Sequence, residues 1–189
     1  MKTTITAQQS AFFTKNGFIE FEIPHTLPVE SVERDLWRKN DPLKQFILRT
    51  LGPLALTLSG KKQLRLGLDQ WILAENRPHK AAPLKEMFSI QGGTIAAALA
   101  QNPAIPTRRS SLGILPLPSN SEGILFFRTD LILDWPHVTS PFFLILFSLP
   151  NAVYVQNSKD PSTHFLKQFG YHFGDCLKSG THPLILPTN

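Results

Sequence analysis

The sequence predicts an α+β protein in which N-terminal helices pack on an antiparallel jelly-roll sheet. Two proline-initiated helical segments come early, about six or seven strand-like segments follow them, and helices do not alternate with strands as they would around a parallel sheet. The 189 residues suit one domain spanning residues 1–189, because 42% of them are hydrophobic and 14 are phenylalanines, enough for a full core.

The first third of the sequence contains the predicted helices. A short helix or turn before Gly17 leads into a half-buried strand over residues 18–23, where apolar and acidic residues alternate. Pro28 is placed to open one helix, and Asp41-Pro42 to open another as its N-cap and first residue. We expect Gly52-Pro53 to kink or split this second helix.

Most of the remaining sequence is predicted to form strands. Over residues 64–72 the hydrophobic period is two, which places Arg65, Gly67, Asp69 and Trp71 on one face and Leu64, Leu66, Leu68 and Ile72 on the other. Further strands are predicted over residues 86–91, 111–117, 123–134 and 142–155. Residues 94–100 fit either a helix or a strand, and the tail after residue 162 shows no clear pattern.

Charge and composition exclude several functional classes. The net charge of +5 comes entirely from residues 1–85, which hold 13 basic and 8 acidic residues. No zinc-finger spacing or Gly-rich phosphate loop accompanies these charges, so a divalent-cation-responsive, nucleic-acid-binding regulator is a hypothesis supported only by that basic half.

The single cysteine, Cys176, excludes a zinc site of several thiolates. Without a membrane span or signal peptide, we expect a cytoplasmic protein with no membrane partner.

Three segments together resemble the Fe(II)/2-oxoglutarate oxygenases, especially the phytanoyl-CoA hydroxylase type. Residues 11–19 are similar to the family's "F..nGF" opening, Leu68-Asp69-Gln70 lies where a His-x-Asp motif follows, and residues 122–127 are similar to the strand that leads to the distal His. The chain is also similar to a chlamydial protein of this architecture. The resemblance implies an antiparallel double-stranded β-helix, or jelly-roll.

At the positions that this chemistry needs, the sequence differs from the family pattern. The reaction requires two His and one carboxylate around iron. With Asp69 as the carboxylate, the His position falls on Gly67, which has no donor atom, and no His in the sequence has Asp or Glu two residues later. The distal His would correspond to His137 or, by strand register, to Asp134. Between Arg128 and Lys159 there is no Lys or Arg to anchor 2-oxoglutarate.

The leading hypothesis is therefore a non-catalytic binding or regulatory protein whose partner is an unknown small molecule or protein. Its pocket is expected near Arg65, Gly67, Asp69 and Trp71, although a structural pair between Asp69 and Arg65 also explains their spacing. No cofactor or metal is expected. The alternative is a noncanonical metal-dependent oxygenase that uses Fe(II), 2-oxoglutarate and the candidate ligands Asp69, Asp134 and His137.

Overall fold

The computed structural model describes residues 5–28, 30–31, 33–100, 123–138 and 141–187. The helices are α1 (Ala7–Asn16), α2 (Asp41–Phe46) and α3 (Gly52–Ser59), and the strands are β1 (Phe18–Glu22), β2 (Leu64–Ile72), β3 (Ala82–Pro83), β4 (Ile90–Ala100), β5 (Gly123–Arg128), β6 (Ile132–Leu133), β7 (Phe142–Tyr154) and β8 (Leu184–Ile185). The strand predicted over residues 111–117 and the motif residue Glu122 lie outside the described residues.

Six strands form one antiparallel sheet in the order β1-β5-β4-β7-β2-β8, and β3 pairs with β6 in a second, two-stranded sheet. The central strand β7 pairs with β4 on one side and with β2 on the other. The curled, mostly antiparallel sheet with a few helices is consistent with the predicted jelly-roll-like fold.

Both faces of the large sheet are buried, which explains why the first half of β7 is apolar at every position. Phe143, Ile145 and Phe147 belong to the core beneath the helices, whereas the alternate residues Phe142, Leu144 and Leu146 belong to the core beneath the C-terminal tail. Among the described residues, no helix has both the length and the apolar character needed to cross a bilayer.

The predicted helix or turn and the half-buried strand at the N-terminus are confirmed as α1 and β1. Thr6 and Gln9 form a capping box, in which each side chain accepts a hydrogen bond from the other residue's backbone N–H. Gly17 ends α1 with a φ of 80°, a left-handed conformation that favours glycine.

The second predicted helix also forms, with Asn40 rather than Asp41 as its N-cap. The Asn40 side chain accepts a hydrogen bond from the backbone N–H of Leu43 at 2.9 Å. One π-helical turn, Ile47–Leu51, joins α2 to α3. Because Pro53 lacks an N–H and crowds the preceding turn, the helix widens there. The predicted kink or split of this helix is therefore confirmed.

The prediction of a helix that begins at Pro28 is wrong. None of the described residues over 28–35 is helical, and only a short 3-10 turn, Leu36–Arg38, follows. The Asp35 N–H donates to the Asp69 carbonyl at 2.9 Å, and Arg34 forms an isolated bridge with Gln70. The edge of β2 thus forms hydrogen bonds with backbone groups that a helix would have paired internally.

Strand β2 forms as predicted, but a β-bulge at Gly67 exchanges its two faces. Leu66 pairs with Phe147 and Leu68 with the adjacent Leu146, which leaves Gly67 as the extra residue. The prediction that Arg65 and Asp69 share a face is therefore wrong, because a period of two does not continue through a bulge.

One strand prediction is corrected in its bounds, and one segment that fitted two structures is assigned. Residues 84–86 form a 3-10 turn, and β4 begins only at Ile90. The segment 94–100, which fitted either a helix or a strand, is part of β4. Its alanines suit a central strand because they pair with large neighbours: Ala96 lies opposite Phe127, and Ala98 lies opposite Leu144.

Candidate functional site

Asp69 lies on the helix-facing side of β2 and is fully buried. One carboxylate oxygen, Oδ1, accepts the backbone N–H of Leu36 at 2.8 Å, and the other, Oδ2, accepts that of Trp37 at 2.9 Å. The carboxylate thus satisfies the two backbone donors that begin the 3-10 turn Leu36–Arg38.

Arg65 lies on the opposite face and contacts the C-terminal tail instead of Asp69. Its Nε donates to the Pro150 carbonyl at 3.2 Å, and its Nη1 donates to the His182 carbonyl at 2.5 Å and to Ser179 Oγ at 3.3 Å. The proposed Asp69–Arg65 pair is therefore not formed. Arg65 instead fixes the tail to the sheet.

The remaining predicted site residues are dispersed. Trp71 is buried against Phe143 with ring centroids 5.5 Å apart. Asp134 follows β6 of the small sheet and directly precedes the 3-10 turn Trp135–His137, whereas Asp69 lies beneath the helices of the large sheet. Within the described ranges, no group of three or more His, Cys, Asp and Glu residues is arranged to hold a metal ion.

A second buried carboxylate, Asp35, lies beside Asp69. Asp35 has a left-handed backbone with a φ of 59°, and its Oδ2 accepts a hydrogen bond from Arg38 Nε at 2.9 Å. Its Oδ1 is buried and has no hydrogen-bond partner among the described residues. Burial raises the pKa of both carboxyls, and with the added repulsion from Asp35 the pKa of Asp69 reaches about 7.

Arg34 and Asp160 form a buried ion pair next to these carboxylates. Arg34 Nη2 and Nη1 lie 2.7 and 3.0 Å from the two Asp160 oxygens, and Arg34 also donates to the Gln70 side chain. Ser89 N–H donates to Asp160 at 2.8 Å. Burial alone would raise the pKa of Asp160, but the hydrogen bonds and the charge of Arg34 outweigh burial and lower it.

Arg38 links the acid pair to the C-terminal tail. Its Nη1 donates to the Thr181 carbonyl at 2.6 Å, and its Nη2 lies 3.4 Å from His182 Nε2. Burial, followed by the charges of Arg38 and Arg65, lowers the pKa of His182 to about 3. The neutral imidazole can therefore accept from Arg38 through Nε2, while its Nδ1 lies 3.1 Å from the Tyr171 hydroxyl.

The concave features of the described residues include a narrow cavity and a larger open groove. A narrow cavity of about 10 Å³ beside Gly67, with room for one water molecule, is lined by Arg34, Asp35, Ser89 and Tyr154 among others. A much larger open groove of about 500 Å³ lies between residues 24–28 and 40–46. That volume is within the range of small-molecule sites.

The groove combines apolar walls with a few polar groups. His25 Nδ1 lies 2.8 Å from the Ile23 carbonyl, which fixes the proton of a neutral ring on Nδ1 and leaves Nε2 as an acceptor. The groove residues are Pro24, His25, Thr26, Leu27, Pro28, Asn40, Pro42, Leu43 and Phe46.

Sequence reasoning missed the groove and most of the buried polar network. Arg34 and Asp160 are 126 positions apart, so no local motif signals their contact. Pro24, Pro28 and Pro42 line the groove, whereas the sequence pattern predicts helix initiation at Pro28 and Pro42. A cluster of prolines around an interrupted hydrophobic pattern is the one signal that could have indicated it.

Comparison with known proteins supports the fold. No protein-family model and no curated protein matches the chain. The solved structure of SnoK, a non-heme alpha ketoglutarate dependent carbocyclase from nogalamycin biosynthesis, aligns with a TM-score of 0.66 and 12% identity over 98% of this chain and 99% of that one. The alpha ketoglutarate dependent epimerase SnoN from the same biosynthesis aligns with a TM-score of 0.64 and 12% identity over 96% of each chain.

CT296 from Chlamydia trachomatis is a further structural neighbour. It aligns with a TM-score of 0.48 and 15% identity over 78% of this chain and 97% of that one. The alignments to SnoK and SnoN span nearly the whole of each chain, so the similarity concerns the overall fold. This chain therefore has an oxygenase-like fold, similar to the folds of SnoK and SnoN.

Proposed function

We propose that the chain is a non-catalytic binding or regulatory protein built on the oxygenase-like fold. The observation that carries this proposal is the role of Asp69, whose two carboxylate oxygens already accept the backbone N–H groups of Leu36 and Trp37. A carboxylate used in this way, beneath the helices, supports a structural role and not metal ligation.

The neighbouring motif positions also do not fit Fe(II) and 2-oxoglutarate. Gly67, at the position of the family's first His, supplies no donor, and a Cβ there would lie 3.1 Å from the Leu146 carbonyl oxygen. The first residues of β7, Phe142 to Phe147, are all apolar, which leaves no basic anchor for the cosubstrate on that strand. We therefore derive no reaction step through these groups.

A binding protein needs an accessible concave surface, and the groove between residues 24–28 and 40–46 offers one. Its volume of about 500 Å³ accommodates a small molecule, whereas the cavity beside Gly67 accommodates about one water. The ligand that we propose is a small molecule with an apolar body and a hydrogen-bond donor directed at His25 Nε2.

The nucleic-acid hypothesis is less well supported than binding in the groove. Arg34, Arg38 and Arg65 belong to the densest basic groups of the sequence. Arg34 and Arg65 are buried, however, and Arg38 forms hydrogen bonds with Asp35 and with the C-terminal tail. They are thus engaged within the protein instead of facing phosphates.

Anaerobic titration with Fe(II) or Mn(II), with and without 2-oxoglutarate, tests the proposal by calorimetry and thermal shift, and incubation with Fe(II) and 2-oxoglutarate in air tests it by succinate release. We expect no stabilisation that requires both metal and cosubstrate, and no turnover. Joint stabilisation that is lost in Asp69→Asn, or iron-dependent succinate formation, would establish the oxygenase alternative. Small-fragment screening by NMR should shift the resonances of Thr26 and Leu43, and His25→Ala should weaken those shifts.

A further inference from the structure

The cavity beside Gly67 lies where residues 33–38, called here the 33–38 segment, meet the large sheet and the C-terminal tail. The segment contributes Arg34 and Asp35 to the cavity wall, and the tail contributes Ser162. Most of the remaining wall comes from strands β2, β4 and β7. The volume of about 10 Å³ is close to the smallest space that holds one water molecule. The cavity therefore admits a ligand of that size and nothing larger.

Asp35 brings an unpaired acceptor to this wall. Its Oδ2 accepts a hydrogen bond from Arg38 Nε at 2.9 Å, whereas its Oδ1 is buried and has no hydrogen-bond partner among the described residues. The Asp35 side chain is only 1% exposed, so bulk solvent does not supply that partner. Buried polar atoms almost always have a partner, and Asp35 Oδ1 is therefore expected to bind a ligand in the cavity.

Arg34 brings an unpaired donor to the same wall. A guanidinium has five N–H groups, and Arg34 uses four of them. Its Nε and Nη2 each donate to the Gln70 side chain, and its Nη1 and Nη2 each donate to Asp160. In the part of the chain that the structure describes, the second N–H of Nη1 has no acceptor. An unpaired acceptor and an unpaired donor thus belong to adjacent residues that line one cavity.

The charges around the cavity favour a neutral ligand. Arg34 is paired with Asp160 at 2.7 Å, and Arg38 is paired with Asp35 at 2.9 Å. A cation in the cavity would lie against the Arg34 guanidinium, and an anion would lie against the Asp35 carboxylate. An apolar molecule would leave both unpaired groups unsatisfied. The ligand must therefore be neutral and able both to donate and to accept hydrogen bonds.

We propose that the cavity binds one water molecule, which donates to Asp35 Oδ1 and accepts from Arg34 Nη1. The Ser162 hydroxyl, on the same wall, offers a third partner, and buried waters typically make about three hydrogen bonds. The water satisfies Asp35 in either protonation state, because a water molecule can donate to an ionised oxygen or accept from a protonated one.

This water joins the 33–38 segment to the C-terminal tail. It adds a contact between Asp35 and Ser162 to the direct ion pair between Arg34 and Asp160. The inference does not depend on the proposed function, because the ligand proposed there binds in the groove between residues 24–28 and 40–46.

A high-resolution crystal structure of the full chain, from crystals soaked in rubidium chloride, tests the proposal. We expect one density peak about 3 Å from both Asp35 Oδ1 and Arg34 Nη1, with no anomalous signal at the rubidium edge. An anomalous peak at this position would show that the ligand is a monovalent cation. An empty cavity would show that neither group has a partner there. Either result would overturn the proposal.

Asp35→Asn is the matched variant, because asparagine has a similar shape and tolerates the left-handed backbone, whose φ is 59°. The amide oxygen is needed by Arg38 Nε, so the NH₂ group takes the Oδ1 position. A water can accept from this NH₂ group, whereas a cation would be repelled by it. We therefore expect the density peak to remain, as it should in the control Asp130→Asn, which removes an exposed carboxylate. Loss of the peak in Asp35→Asn alone would contradict the assignment to water.

Thermal unfolding of the wild type provides a second measurement if Asp35→Asn does not fold. The Tm should be the same in sodium, potassium and rubidium chloride at equal ionic strength, because a water site does not discriminate among these ions. A saturable rise in Tm with only one of the three salts would identify a cation site, and the proposal would be wrong.

Discussion

Removal of Arg34 should be among the most destabilising single changes to a charged residue in this protein. Arg34 is 8% exposed and makes two hydrogen bonds to Asp160 and two to Gln70. In Arg34→Met, the Asp160 carboxylate stays buried without its cation. Breaking a buried pair on one side costs about 3–5 kcal/mol, and we expect a loss in that range in the free energy of unfolding.

Urea unfolding of Arg34→Met, Asp160→Asn and the double variant measures this effect as a double-mutant cycle. The double variant should be less destabilised than the sum of the single variants, with a coupling of about 1–3 kcal/mol, because no unpaired charge remains. Lys159 and Glu86 form a pair of nearly equal length, 2.8 Å, but with side chains 65% and 46% exposed. Lys159→Met should leave the urea midpoint unchanged. Additive effects at Arg34 and Asp160 would refute the argument.

Two further predictions concern the bulge and the tail. Gly67→Ala places a Cβ 3.1 Å from the Leu146 carbonyl oxygen and should cost about 1–3 kcal/mol in urea unfolding, whereas Gly180→Ala, with no atom within 4 Å of its Cβ, should be neutral. Burial lowers the pKa of His182 to about 3 in the folded chain. Between pH 6.5 and about 3 the unfolded chain therefore binds a proton that the folded chain does not, and the free energy of unfolding decreases as the pH falls through that window. His182→Gln should remove a slope of up to about 1.4 kcal/mol per pH unit; an unchanged slope would show that His182 is not the group responsible.

The large sheet could be predicted from the sequence because burial on both faces gives continuous apolar segments. The first half of β7 carries that signal locally, whereas β1, with one exposed face, is recognised by its alternation of apolar and acidic residues. The break at Gly52-Pro53 was likewise predictable, since the missing N–H of Pro53 acts within one turn of the helix.

The candidate site could not be predicted to the same extent, because its contacts join distant parts of the chain. The bulge at Gly67 follows from the pairing of β2 with β7, and it reverses the faces of Arg65 and Asp69. The prediction of a helix at Pro28 is wrong for a related reason. Its hydrophobic spacing is helical, but the edge of β2 offers Asp69 as a hydrogen-bond acceptor more than 30 residues away.

Asp69, at the position that the oxygenase resemblance assigns to the motif carboxylate, has a structural explanation. The resemblance implies a carboxylate here for a metal, whereas in this chain Asp69 accepts hydrogen bonds from two backbone N–H groups beneath the helices. The second use also constrains the residue to be an acid, since an amide would place an NH₂ group against one of those donors. An aspartate at the motif position is therefore expected whether or not metal chemistry is present, and that position alone does not establish an enzyme.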